Sequence, residues 1–134
     1  MARSDLLAKL VFGDGTAVAK LNALVHPVVR EDYFSWFETQ KGAPYVVEEA
    51  AILFESGADR LLDGSVLVYA PEELRIRRVM KRDGVDEKSV RNRMLHQMDE
   101  DEKKQRADHI IYNDENEMLL PQIIKLHNKI LNSR

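Results

Sequence analysis

Short apolar runs without polar alternation most narrow what this chain can fold into. Val66-Leu67-Val68-Tyr69 and His109-Ile110-Ile111-Tyr112 each offer apolar side chains to both faces, and they close on Pro71 and on Asn113-Asp114. A strand that is apolar on both faces must be covered on both, as in parallel sheets and unlike hairpins with one wet face. Tyr45-Val46-Val47, continuing through Ala50–Phe54, predicts a further buried strand and its exit, interrupted by Glu48 and Glu49. Helical patterns separate these runs, so the predicted class is α/β with a parallel sheet.

The helical pattern is densest before residue 44. Ser4 is placed to cap a helix over Asp5–Phe12, and Gly13-Asp14-Gly15 reads as a turn. Thr16 is placed to cap a second helix through Ala17–Val25, with Val18, Leu21, Leu24 and Val25 on one face. Pro27 is expected to end or kink it and to open a third helix carrying Val28, Val29, Tyr33, Phe34, Trp36 and Phe37. Further along, one helix is predicted from Glu72 or Glu73 to Arg82, broken at Gly84. Asp86 starts another through Gln97, Asp99 with Glu102 resembles a capping box, and a last helix carries Leu119 to Leu131.

At 134 residues the chain is one domain, and its net charge of −3 disfavours a globally basic nucleic-acid binder. No apolar run approaches the roughly 18 residues of a membrane span. Leu6, Leu7 and Leu10–Phe12 are too few and too interrupted for a secretory core, so a cytoplasmic setting is expected. The absence of cysteine excludes disulfides, thiolate catalysis and cysteine-ligated metal. His26, His96, His109 and His127 have no i, i+4 partner, so no metal site is expected from them.

Charge is unevenly spread. From Arg75 to Arg93 eight cations stand against three anions, which leaves −8 for the remainder of the chain. Arg75, Arg78 and Arg82 follow i, i+3, i+7 and share one helix face. Converging guanidinium forks suit a polyphosphate, because they match its oxygens and keep their charge. The alternative is a solvated helix laced with pairs such as Glu73–Arg77 and Glu87–Arg91. His26, just before Pro27, is a candidate ligand contact. Glu55 follows Ile52-Leu53-Phe54, where ligands bind beyond a parallel strand, although it also suits a helix cap. Asn113 holds the equivalent place after the last strand, or is simply a turn.

Taken in order, these pieces resemble the dephospho-coenzyme A kinase family. The resemblance is carried by Val11-Phe12, by Leu21-Asn22 with His26-Pro27-Val28-Val29, and by Ile52-Leu53-Phe54-Glu55-Ser56-Gly57. It continues with Val66–Pro71, Arg78-x-x-x-Arg82-Asp83-Gly84, Arg93 followed by Gln97, Lys103, and Ala107-Asp108-x-x-Ile111-x-Asn113. Ala51 departs from the proline many members carry there. The glycine-rich phosphate loop with its lysine, the first strand and an early aspartate of the family are not in this sequence.

The resemblance implies a P-loop kinase-like parallel sheet, incomplete at the N-terminus, in one partial domain. Residues 1–44 would be a helical coenzyme A-side region, 45–71 and 107–134 the α/β core, and 72–106 a lid. The implied reaction moves the γ-phosphate of ATP, with Mg2+, onto the 3′-hydroxyl of dephospho-coenzyme A. Arg82 would act catalytically on the ATP phosphates, joined by Arg78 and Arg93, with Asn113 near the adenine. His26 and Glu55 would face the acceptor, Glu55 near magnesium-bound water. Without the phosphate loop the chain alone is expected to turn over negligibly, and the uncovered sheet edge is expected to favour self-association. A non-catalytic nucleotide or coenzyme A binding module is the alternative, and a nucleic-acid surface on Arg75–Arg93 ranks last.

Overall fold

A computed structural model describes residues 15–95 and 97–133. The expected helix over Asp5–Phe12, its turn up to Asp14, and His96 lie outside the described residues. The chain divides after Glu48 into two units.

The first unit is built on α1 (Gly15–Phe37), which runs unbroken through Pro27. The two helices expected on either side of that proline are therefore one, and His26 stays inside a helix rather than at an exit. Proline removes one N–H bond and crowds one carbonyl, at a cost of about 3 kcal/mol, but the bonds on both sides persist. At the C-terminal end Tyr33 lies against Phe34, Trp36 and Phe37, with ring centroids 5.7, 6.1 and 6.4 Å away. The Thr39 hydroxyl donates to the Trp36 carbonyl at 2.6 Å and satisfies part of the helix end.

The second unit holds the sheet. β1 (Val66–Tyr69) and β2 (His109–Tyr112) pair in parallel, Val66 opposite His109 through Tyr69 opposite Tyr112. Between them the chain passes through α2 (Glu72–Asp83), α3 (Glu87–Met94) and α4 (Glu100–Arg106), the long crossover that parallel pairing requires. α5 (Leu119–Asn132) follows β2 and carries Pro121 within its first turn.

Register is fixed at the strand starts. The Asp108 carboxylate accepts from both the Ser65 N–H and the Ser65 hydroxyl at 2.8 Å, and the Asp108 N–H donates back to that hydroxyl at 3.2 Å. Those bonds from Ser65 hold the Asp108 carboxyl below its ordinary value despite some desolvation. At the far end the Gln122 amide accepts from the Tyr112 N–H at 2.8 Å and donates to its carbonyl at 3.0 Å. A side chain of α5 thus completes backbone bonding that another strand would otherwise supply.

The core comprises Phe54, Leu67, Ala70, Leu74, Ile76, Val90 and Ile111, with Ser65 and Lys103 buried beside them. Leu74, Ile76, Val90 and Lys103 all belong to residues 72–106, so the segment expected as a lid supplies part of the packed interior.

The strand expected across residues 45–54 does not form. Residues 45–50 carry no regular structure and 51–57 form turns, bonded locally through Ser56 N–H to Ile52 (3.0 Å) and Ala58 N–H to Leu53 (3.2 Å). An extended segment becomes a strand only beside a neighbour that accepts its ladder, and among the described residues β1 pairs with β2 alone. α3 also ends at Met94 rather than Gln97. Its start is as expected, with Asp86 accepting from the Ser89 N–H at 2.7 Å. Asp99 likewise caps α4 through the Asp101 and Glu102 N–H groups.

Candidate functional site

The C-terminal ends of parallel strands are where open α/β sheets take ligands. Here β1 runs through Ala70-Pro71 into α2, whose arginines project at i, i+3, i+7. Arg75 donates to Glu100 at 3.0 Å. Arg78 donates through Nη1 to the Asn113 carbonyl at 2.9 Å and through Nη2 to Glu115 at 3.1 Å. Two residues expected at the nucleotide, 35 apart in sequence, therefore meet at the end of β2. Glu115, which grips Arg78, has φ 70°, a left-handed conformation that costs a non-glycine residue about 1 kcal/mol or more.

Arg82 lies one turn further on and is 74% exposed. It and Arg93 share one carboxylate: Arg82 Nε and Nη2 donate to Asp83 at 2.7 and 3.3 Å, and Arg93 Nη1 at 3.3 Å. The four expected phosphate and nucleotide residues thus form two pairs, Arg78 with Asn113 and Arg82 with Arg93. The solvated-helix alternative describes part of the same stretch. Arg91 pairs with Glu87 at 2.7 Å as expected, and also with Glu72 (2.6 Å) and Glu73 (2.8 Å), so Glu73 is engaged by Arg91.

Glu55 follows the buried Phe54. Its Oε1 accepts from the Met98 N–H at 2.8 Å and from Lys103 Nζ at 3.2 Å, while Oε2 is buried without a partner among the described residues. Burial pushes the Glu55 carboxyl up, but the Met98 N–H and Lys103 together outweigh it and leave it below its ordinary value. Lys103 also reaches Glu100 at 3.6 Å, closing an alternating chain Glu55–Lys103–Glu100–Arg75. One turn on, Arg106 binds Asp59 at 2.8 Å and lies over the Phe54 ring, 5.3 Å from its centroid. α4 is thereby fastened twice to the segment that carries Glu55.

Beside the end of β1 a groove of about 570 Å3 is lined by Tyr69, Arg75, Arg91, Gln97, Met98 and Lys104, among others. Lys104 Nζ sits 3.7 Å from the Tyr69 ring centroid. Arg78, Arg82, Arg93 and Asn113 do not line this groove. His26 belongs to α1 in the other unit. Among the described residues no group of three or more metal-ligating side chains could hold an ion, and no helix is long and apolar enough to cross a membrane.

Sequence reasoning missed Asp83 and Asp108 as organising residues, and it quoted Lys103 without a role. The Asp-Gly step at 83–84 reads only as a helix end, and Lys103 lies in the charged run Glu100–Arg106, whose composition suggests solvent.

The family model described as dephospho-CoA kinase matches residues 2–118. The dephospho-CoA kinase of Bacteroides fragilis (strain YCH46) is 37% identical over 121 residues, covering 90% of this chain and 59% of that protein. That of Salinibacter ruber is 43% identical over 116 residues, covering 82% and 56%. Among solved structures, TT1252 from Thermus thermophilus matches with TM-score 0.85 and 37% identity over 95% of this chain and 66% of the other. The dephospho-CoA kinase from Campylobacter jejuni matches with TM-score 0.65 and 28% identity. The chain spans less than two thirds of the length of these curated relatives.

Proposed function

The chain belongs to the dephospho-CoA kinase family, and on that premise we propose that it forms the phosphate-clamping and acceptor-side part of an ATP-dependent phosphotransferase acting on dephospho-coenzyme A. Arg78, Arg82 and Arg93 take the ATP phosphates and Asn113 lies by the adenine. Arg82 faces the charge that develops on the transferred group, where a well-placed arginine is worth about 10³–10⁵ in rate. His26 and Glu55 stand on the acceptor side. Residues 72–106 serve as the covering element, carrying these arginines on helices whose other faces are core. The setting is cytoplasmic, and the β1 edge, unpaired among the described residues, is where a further strand or a second copy adds.

The described residues alone do not form a complete magnesium site, which in nucleotide enzymes is shared with phosphate oxygens and water. The bonded oxygen of Glu55 is engaged by an ammonium group at 3.2 Å, and no second and third acidic ligand stand with it.

The observation that carries the reading is the Arg78–Asn113 bond, which fixes a guanidinium at the ligand-binding end of a parallel sheet. Calorimetric titration with ATP tests it. Arg78→Ala is expected to weaken binding about tenfold, since a charge-assisted hydrogen bond contributes about 1.5–3 kcal/mol. Arg78→Lys, which keeps the charge but not the fork, falls between. Unchanged affinity in Arg78→Ala counts against the proposal.

A further inference from the structure

Asp83 is the last residue of α2, where unpaired carbonyls concentrate negative charge. A carboxylate at that end opposes the helix dipole, so helix stability does not account for it. What its oxygens do is gather two guanidiniums from two helices. Oδ1 accepts from Arg82 Nε, and Oδ2 accepts from Arg82 Nη2 and from Arg93 Nη1. The turn between the helices is sharp, with Gly84 at φ 66°, and it returns α3 towards the end of α2.

The anion is the more enclosed member of the trio. The Asp83 side chain is 26% exposed, against 74% for Arg82 and 61% for Arg93. Arg82 presents its Nε and Nη2 edge to both carboxylate oxygens, the two-pronged geometry by which arginine also holds phosphate. Each guanidinium has five donors, so each keeps further N–H groups for another ligand.

We propose that Asp83 is an internal competitor for the phosphate clamp. It holds Arg82 and Arg93 together in the free chain and occupies the fork that a polyphosphate must take. This rests on the phosphate reading of those two arginines and adds to it a residue that sets how strongly the clamp binds.

The test is titration of the full chain with inorganic tripolyphosphate at low salt, followed calorimetrically. Asp83→Asn removes the charge while keeping the shape, and it is expected to bind about fivefold tighter, the upper range for an exposed ion pair. Asp63→Asn removes the same charge from an exposed position that pairs with neither arginine and is expected to stay within about twofold of the parent. In an Arg82→Ala background the gain from Asp83→Asn is expected to vanish, because the fork is gone. Circular dichroism melts of each variant establish that it is folded.

Affinity in Asp83→Asn that is unchanged or weaker overturns the proposal, as does an equal gain in Asp63→Asn. A parent chain that does not bind tripolyphosphate, or an Arg82→Ala chain that binds it equally well, overturns the phosphate reading itself and the inference with it.

Discussion

Lys103→Met is expected to lower the unfolding free energy by about 3 kcal/mol near neutral pH, the scale for removing one partner of a buried ion pair. The Lys103 side chain is only 9% exposed and that of Glu55 only 18%. Methionine fills similar volume, so the loss is electrostatic: Glu55 stays beside the Met98 N–H with no cation, and Glu100 keeps only Arg75. The pH dependence separates this from a packing defect. In the parent chain Glu55 titrates below its ordinary value, so its contribution is present above the unfolded value and is lost as pH falls through the folded one. Without Lys103, burial is opposed only by backbone N–H bonds, and the carboxyl becomes protonated at a higher pH than in the parent. The deficit of Lys103→Met is therefore expected to shrink as pH falls, and Glu55→Gln added to it should restore part of the stability. A deficit below about 1 kcal/mol that is flat with pH would show that the pair is structurally idle.

The second large effect is expected at Ile76, which is 2% exposed and lies between Arg75 and Arg77. Removing buried methyl and methylene groups costs their transfer free energy and that of the cavity left behind, so Ile76→Ala is expected to cost about 3 kcal/mol and Ile76→Val about 1 kcal/mol. Urea unfolding should show a lower midpoint with an unchanged slope. The position matters because it anchors the helix that carries Arg75, Arg78 and Arg82. A loss below about 1 kcal/mol would mean that α2 is not held by the core.

What could be read in the sequence follows from what is local. β1 and β2 were legible because both faces of each are apolar, and their parallel pairing followed from the helices between them. Gly84 and Asp86 announced their helix ends because a left-handed cap and an Asx cap depend on one or two residues. The segment 45–54 was not legible as turns, because its composition suits a strand while a strand needs a neighbour. Pro27 misled for the converse reason: a local preference was overridden by bonding on both sides of it.

The candidate site divides in the same way. The proposal that Arg78, Arg82, Arg93 and Asn113 bear on one ligand comes from the ordered resemblance; the structure joins Arg78 to Asn113, and Arg82 to Arg93 through Asp83. Local spacing gave the Arg91–Glu87 pair, but not which distant carboxylates the cations take. Arg91 reaches back 18 and 19 residues to Glu73 and Glu72, and Lys103 reaches Glu55 across the fold, contacts set only by how the helices pack. The burial of Lys103 was hidden for the same reason, since neighbours in sequence give no sign that Glu55, 48 residues earlier, meets it.

The central claim is that arginines on α2 and α3, together with the turn after β2, close on the phosphates and base of a nucleotide. Backbone amide shifts followed by nuclear magnetic resonance during an ATP titration test it most directly. The account predicts saturable shifts centred on Arg78, Arg82, Arg93 and Asn113. Shifts confined to α1, or none at all at millimolar ATP, would contradict it.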